Sequence, residues 1–130
     1  MPFQPLFPQE LPAPFGRYAH GVAIPGGQKL VRTSGQLAVD ADGNTPISAF
    51  EQASLIFSNI DSILREGGLD CEAVCHIAGF VTKREHMAEY MRARDIWLER
   101  VESLPASTLV IVSGFTRPEF LVEIEVTAVG

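Results

Sequence analysis

The chain has little positive charge and no cluster of it. Ten Lys and Arg residues stand against sixteen Asp and Glu, which gives a net charge of -6 at pH 7. The basic residues are scattered along the chain and form no basic run. A protein that tracks a nucleic-acid backbone needs a basic stripe that neutralises phosphates. We therefore expect no nucleic-acid partner, which also argues against RNA as a substrate.

Long apolar runs are also absent. No apolar stretch approaches the roughly 20 residues of a membrane-spanning helix. The opening residues Met1–Pro5 lack the basic region and following apolar segment of a secretory signal. We therefore expect a cytoplasmic protein with no membrane partner.

Cysteines are scarce. The chain has two, Cys71 and Cys75, with no second cysteine pair and no suitably placed pair of histidines, so a zinc site is not expected. The acidic segment Asp40–Asn44 lacks the acidic spacing of a calcium loop and is interpreted as a turn. The sequence predicts free thiols and no metal site.

Length and composition fit one globular domain. The 130 residues are 46% hydrophobic, so residues 1–130 can bury a core without disulfides. Residues 1–13 are rich in proline and predict an extended N-terminal lead-in. Val22–Ile24 and Lys29–Ser34 flank a Pro-Gly-Gly turn and predict a β-hairpin.

Two amphipathic helices follow. Ser48 and Glu51 have the spacing of a capping box, and apolar residues recur at helical intervals until Gly67 and Gly68. Residues 73–81 predict a buried strand. Residues 85–102 predict a second helix whose apolar stripe consists of Met87, Tyr90, Met91, Trp97 and Val101.

The C-terminal region predicts two strands, residues 104–113 and 120–128, joined by Gly114–Glu119. In the last strand Glu123 and Glu125 alternate with apolar residues and share one face. The element order β-β-α-β-α-β-β predicts an α+β sandwich with two helices packed on one face of a mixed sheet. Apolar side chains on its other face would need cover by self-association, as suggested by Leu30, Leu109 and Ile111.

Several short motifs stand in a familiar order: Pro14–Val22, Thr33–Gln36, Glu51-Gln52 with Asn59-Ile60, Pro105-Ala106 and Val122–Glu125. In this order the chain resembles the RidA family, also called YjgF or endoribonuclease L-PSP, from about Pro14 to the C terminus. The resemblance implies a chorismate-mutase-like fold and a homotrimer with a central barrel. It also implies three clefts at the subunit interfaces.

The resemblance also implies a chemistry. The best-known members hydrolyse reactive enamines and imines to 2-oxo acids and ammonia, without a metal or organic cofactor. Position by position, the residue that holds the water falls on Glu123, which is the expected catalytic residue. The substrate-binding positions fall on Tyr18, Ser34 and Gly35.

One position departs from the deaminating members, which read Pro-Ala-Arg and grip the substrate carboxylate with the arginine. This chain has Ser107 there. Loss of a charge-assisted contact of about 1.5–3 kcal/mol should weaken carboxylate binding roughly tenfold to a hundredfold. The sequence therefore predicts a hydrolase with an altered small-molecule substrate. The alternative is a non-catalytic trimer that binds a small metabolite or has a regulatory role.

Arg17 or Arg32 is a candidate replacement for the missing arginine. Arg17 adjoins Tyr18, and Arg32 alternates with Ser34 along a strand. The competing interpretation of Arg32 is a salt bridge with Glu123 or Glu125. Ser107 is the expected partner of Glu123 across the connection between the last two strands.

Overall fold

The protein folds as two helices on one face of a mixed β-sheet. A computed structural model describes residues 2–130. Its helices are α1 (Ala49–Glu66) and α2 (Met87–Trp97). The strands are β1 (Gln4–Leu6), β2 (Gly21–Ala23), β3 (Leu30–Arg32), β4 (Gln36–Leu37), β5 (Val74–Val81), β6 (Ala106–Ile111) and β7 (Val122–Val129).

The main sheet has the order β3-β7-β5-β6, and β4 also pairs with β7. Strands β5 and β6 are parallel, whereas β7 runs antiparallel to β3, β4 and β5. Helix α1 packs on β7 and against α2, and α2 packs on β5. The predicted α+β class, with both helices on one face of a mixed sheet, is confirmed.

Three predictions about the strands differ from the structure. The predicted hairpin is wrong, because β2 pairs with β1 in a separate two-stranded sheet and β3 pairs with β7. Strand β1 lies inside the segment predicted as an extended lead-in. The last two strands are not neighbours either, because β5 lies between β6 and β7.

Local signals set the ends of α1. The Glu51 amide donates to Ser48 Oγ at 3.1 Å, which is the N-cap half of the predicted capping box, and the Ser48 hydroxyl donates to Glu51 Oε1 at 3.0 Å. After α1 the chain turns at Gly68, whose φ of 80° favours glycine. Helix α2 is shorter than predicted, because its flanks are 3₁₀ turns at Arg84–His86 and Leu98–Arg100.

The Gln52 side chain fastens α1 to the start of β7. It is fully buried, and its amide nitrogen donates to the carbonyls of Pro46 and Glu119, both at 2.8 Å. Its amide oxygen accepts from the Leu121 amide at 2.9 Å. A buried amide with such partners stabilises the loop that leads into β7.

The core lies between the helices and the sheet. Phe57 and Trp97 stack there with ring centroids 4.7 Å apart, and Ile77, Ile124 and Val126 fill the sheet side. Of the residues expected on the uncovered face, Leu30 is 62% exposed, whereas Leu109 packs against this core.

Ile111 also differs from its expected place. It pairs with Val81, a core residue, so it lies at the end of the helix-covered face. The opposite face instead carries Val110, which pairs with Phe80 opposite Glu123 and is 42% exposed. Apolar side chains do remain on the uncovered face, so self-association stays a prediction.

Gly79 provides a test of the packing between β5 and α2. A Cβ atom at Gly79 would lie 2.5 Å from Cζ of the fully buried Tyr90. We expect Gly79→Ala to lower the free energy of unfolding by about 1–3 kcal/mol, because the core must overpack. Urea denaturation measures the change. The control is Gly26→Ala, whose Cβ would meet nothing within 4 Å; equal stability of the two variants would contradict the packing described.

Candidate functional site

A small cleft of about 220 Å³ lies where the segment around Phe15–Tyr18 meets α2 and the edge strand β6. The segment is anchored to β6, because the Ala19 amide donates to the Pro105 carbonyl at 2.7 Å. The larger depressions beside β1 and β2, near the C terminus and at the 113–121 loop contain none of the predicted site residues.

The cleft has an apolar half and a polar half. Met87 and Met91 of α2 and Leu109 of β6 line the apolar half. Tyr18 and Ser107, both predicted substrate-binding residues, line the polar half. The cleft is smaller than the roughly 300–1,000 Å³ typical of drug-sized ligands, so it suits a small molecule.

The polar half contains a cation that the sequence analysis did not identify. Arg94 of α2 lines the cleft with a side chain that is 3% exposed. Its Nη1 donates to Ser107 Oγ at 3.2 Å, and its Nε donates to Asp95 Oδ1 at 3.0 Å. The guanidinium carbon lies 5.1 Å from the centroid of the Tyr18 ring, within the range of a cation–π contact.

Arg94 keeps one buried N–H group without an acceptor. Its Nη2 has no hydrogen-bond partner among the residues that the structure describes. A Cβ atom at Gly16 would lie 2.6 Å from this nitrogen, so the guanidinium fits because residue 16 has no side chain. Leaving a buried charged donor unpaired costs at least about 1–3 kcal/mol.

Tyr90 supplies no counter-charge to Arg94. Burial raises the pKa of the Tyr90 phenol to about 12, and the neighbouring Arg94 and Ser107 offset this only in part. The phenol is therefore neutral at physiological pH. Asp95, whose side chain is 34% exposed, is the carboxylate paired with Arg94.

A signal in the sequence could have revealed Arg94. It stands four residues after Tyr90 and three before Trp97, within the apolar stripe of α2. A charge at such a position is buried when the helix packs, and a buried charge needs a partner.

The second group of predicted site residues lies on β7 and in the irregular segment between β3 and β4, two strands that follow each other along β7. Ser34 and Gly35 occupy this segment, and the half-buried Glu123 faces Gly35. A Cβ atom at Gly35 would lie 2.8 Å from Cδ of Glu123, so the glycine permits this close approach. Within residues 2–130, the Glu123 carboxylate has no hydrogen bond or ion pair.

Glu125, two residues further along β7, is paired. Arg32 Nη2 lies 3.4 Å from Glu125 Oε2, and Arg32 Nη1 donates to Thr127 Oγ1 at 3.0 Å. Arg32 thus forms one of the two salt bridges considered for it. Burial and the nearby Arg32 lower the pKa of His76 on the same face, and Glu125 partly offsets this.

Arg17, the other candidate replacement, also has a protein partner. Its Nη2 donates to the Leu98 carbonyl at 2.9 Å, just beyond the C-terminal end of α2. A cation is favourable there because the helix dipole is negative at that end. The guanidinium that contacts Ser107 is that of Arg94.

The two groups lie on opposite faces of the sheet. Ser107 pairs with Ile77, and Ile77 pairs with Val126, so all three project toward the helices. Glu123 is an odd number of residues from Val126 and projects the other way. Ser107 and Glu123 therefore do not meet across the connection within one chain, as the sequence had suggested.

The described part of the chain contains neither a candidate metal-binding cluster nor a candidate membrane-spanning helix. No group of three or more His, Cys, Asp or Glu side chains there could hold a metal ion. Both cysteines are free, and Asp40 Oδ1 accepts from the amides of Asp42 and Asn44, as expected of a turn. No helix within residues 2–130 has the length and apolar character needed to cross a membrane.

Comparison with known proteins gives matches along nearly the whole chain. A family model described as endoribonuclease L-PSP matches residues 8–130. A RutC family protein from Aquifex aeolicus (strain VF5) is 29% identical over 119 residues, which cover 91% of this chain and 92% of that protein.

Solved structures share the fold. The Rid family protein YyfB from Yersinia pestis superposes with a TM-score of 0.86 at 21% identity, covering 98% of each chain. E. coli TdcF with bound serine superposes with a TM-score of 0.73 at 25% identity, again covering 98% of each chain.

The contact between Gly35 and Glu123 can be tested directly. We expect Gly35→Ala to displace the Glu123 carboxylate, because the new methyl group would occupy its place. Stability should change by less than about 1 kcal/mol, since only the end of a flexible side chain must move. A crystal structure and a denaturation curve check both points, with Gly26→Ala as the control. An unmoved carboxylate would contradict the contact.

Proposed function

The chain belongs to the endoribonuclease L-PSP family, also called the RidA or YjgF family, and we propose that it is a hydrolase of small enamines or imines. The reaction adds water to a C=N bond and releases ammonia and a 2-oxo or related carbonyl product. Family membership supports a function that involves a small molecule. The deaminase chemistry and the cytoplasm as its location are our proposals.

The unpaired carboxylate of Glu123 carries this proposal. Addition of water to an imine carbon needs a group that accepts a hydrogen bond from the water and takes up its proton. Glu123 is free to do so, whereas Glu125 on the same strand is occupied by Arg32. The close approach of Gly35 narrows the space on one side of the carboxylate and supports a defined position for it.

A second copy of the chain would complete the site. The cleft with Tyr18 and Ser107 opens on the helix side of the sheet, and Glu123 lies on the opposite side. A ligand as small as the cleft suggests cannot reach both groups within one chain. We propose a homotrimer in which the cleft of one subunit meets the Glu123 face of the next. The exposed Leu30 and Val110 on that face support such an interface.

The substrate is expected to differ from that of the deaminating members, because Ser107 stands in place of their arginine. The related TdcF was crystallised with bound serine, which supports a small amino acid or an amino-acid derivative as the ligand class. The substitution at Ser107 also favours a second candidate function, that of a non-catalytic trimer which binds such a metabolite.

Glu123→Gln tests the catalytic role. An amino-acid oxidase can supply an imino acid in situ, and formation of the 2-oxo acid is followed against buffer alone. We expect Glu123→Gln to lower the rate by about 10²–10⁴-fold, because the amide cannot accept the proton. Glu125→Gln is the matched control on the same face and should retain most activity. Equal losses in both variants would contradict the role of Glu123, and a wild-type rate equal to buffer would favour the binding function.

Mixed assemblies test the shared site. We expect Tyr18→Ala and Glu123→Gln to be weakly active alone and to regain activity when co-expressed. Each mixed trimer has both native groups at one of its three interfaces, about a third of the total. The rate of mixed assemblies, purified by two tags and sized by light scattering, measures this. Activity that stays at the average of the two separate variants would contradict a site built from two subunits.

A further inference from the structure

Ser107 and Arg94 form one unit in the cleft. Ser107 occupies the sequence position of the arginine that the deaminating members carry, and the guanidinium of Arg94 contacts its hydroxyl from α2. We infer that Arg94, on α2, supplies the positive charge that attracts a ligand carboxylate. The Ser107 hydroxyl lies between the two and donates to the carboxylate. This inference rests on the proposed function and deepens it by naming the ligand class.

The hydrogen bond from Arg94 would allow Ser107 to donate to a ligand in the cleft. Its oxygen accepts from Arg94 Nη1 at 3.2 Å, so the hydroxyl hydrogen is not used in that bond. A hydroxyl that accepts from a cation is polarised and becomes a stronger donor. A carboxylate in the cleft would therefore meet a neutral side chain with a positive charge directly behind it.

The burial of Arg94 favours an anion as the missing partner. The guanidinium is almost fully enclosed, its Nη2 has no acceptor among residues 2–130, and Asp95 is its paired carboxylate. With the Tyr90 phenol neutral, the enclosed group retains unmatched donor capacity. A ligand carboxylate bound at Ser107 would place negative charge beside this group.

The residues at positions 16, 94 and 107 constrain one another. An arginine at position 107 would bring a second guanidinium against that of Arg94, and two enclosed cations in contact repel strongly. A side chain at Gly16 would collide with Arg94 Nη2. A small residue at 107 and a glycine at 16 therefore go together with an arginine at 94.

The rest of the cleft indicates what the carboxylate is attached to. Met87, Met91 and Leu109 offer an apolar surface beside the charge, in a volume of about 220 Å³. Thioether and aliphatic side chains adapt to short alkyl groups. The ligand class is therefore a small carboxylate, such as a 2-imino or 2-oxo acid, with a short aliphatic chain.

If Arg94 only tied α2 to β6, the charge of the ligand would not affect its affinity. Two ligands that differ in charge but not in size therefore distinguish the structural role from the binding role. Pyruvate and its neutral amide, pyruvamide, differ in charge but hardly in size. Wild-type protein should prefer pyruvate, and 2-oxopentanoate should bind more tightly still, by up to about fourfold for each buried methylene. Ligand-observed NMR and calorimetry measure these affinities without any turnover.

We expect Arg94→Gln to weaken pyruvate binding by about tenfold to a hundredfold and to leave pyruvamide binding unchanged. Arg94→Lys, which keeps the charge but loses the planar fork, should fall between the two. Arg92→Gln is the matched control, because Arg92 is exposed on the same helix over the Phe50 ring. Unchanged pyruvate affinity in Arg94→Gln, or equal losses for both ligands, would overturn the inference.

An exchange variant keeps the test decisive if Arg94→Gln fails to fold. Ser107→Arg alone should bind pyruvate poorly, because it places two cations together. Arg94→Ser combined with Ser107→Arg should restore the preference for pyruvate, because the charge returns to the cleft from β6. A double variant that folds but has no such preference would overturn the inference.

The failure of the inference and the failure of the proposed function can be told apart. Arg94-dependent binding of pyruvate without hydrolysis of any imino acid would support the inference and contradict the hydrolase. Imine hydrolysis that continues at the wild-type rate in Arg94→Gln would support the hydrolase and contradict the inference.

Discussion

The pleat of strand β7 is the constraint on which the rest of the structure depends. This strand pairs with β3, β4 and β5, so its alternation is fixed from both sides. Val122, Ile124 and Val126 enter the core, and Glu123 and Glu125 must then leave on the other face. The carboxylate proposed to hold water is consequently kept away from the core by the same pairing that holds the sheet together.

A second constraint is the enclosed charge of Arg94. Packing α2 on the sheet encloses almost all of this side chain, and the fold accommodates it with Asp95, Ser107 and two aromatic rings. A buried cation that lacks one of its hydrogen-bond partners lowers the stability of the folded state. It is useful where a ligand brings further negative charge to the cleft. In the cleft, the packing of α2 and the proposed binding of an anion thus depend on the same side chain.

Much of the fold could be predicted because its signals are local. The N-cap at Ser48, the glycine stop after α1 and the alternation of β7 depend on neighbouring residues, and the structure has all three. The pairing of β2 was missed because its partner, β1, lies in a proline-rich stretch without periodicity. The place of Arg94 in the apolar stripe of α2 indicates burial, but it does not reveal that the side chain reaches Ser107 on β6.

The contact between Arg94 and Ser107 also bears on how relatedness is used to infer function. Aligned position by position, the chain has lost the arginine of the Pro-Ala-Arg motif. In three dimensions a guanidinium stands hydrogen-bonded to the residue that replaced it. The affinity of a charged ligand depends on the electric field in the cleft, whichever segment of the chain carries the charge. Divergent members of such a family are therefore better compared by where their charges lie in space than by which columns of an alignment they fill.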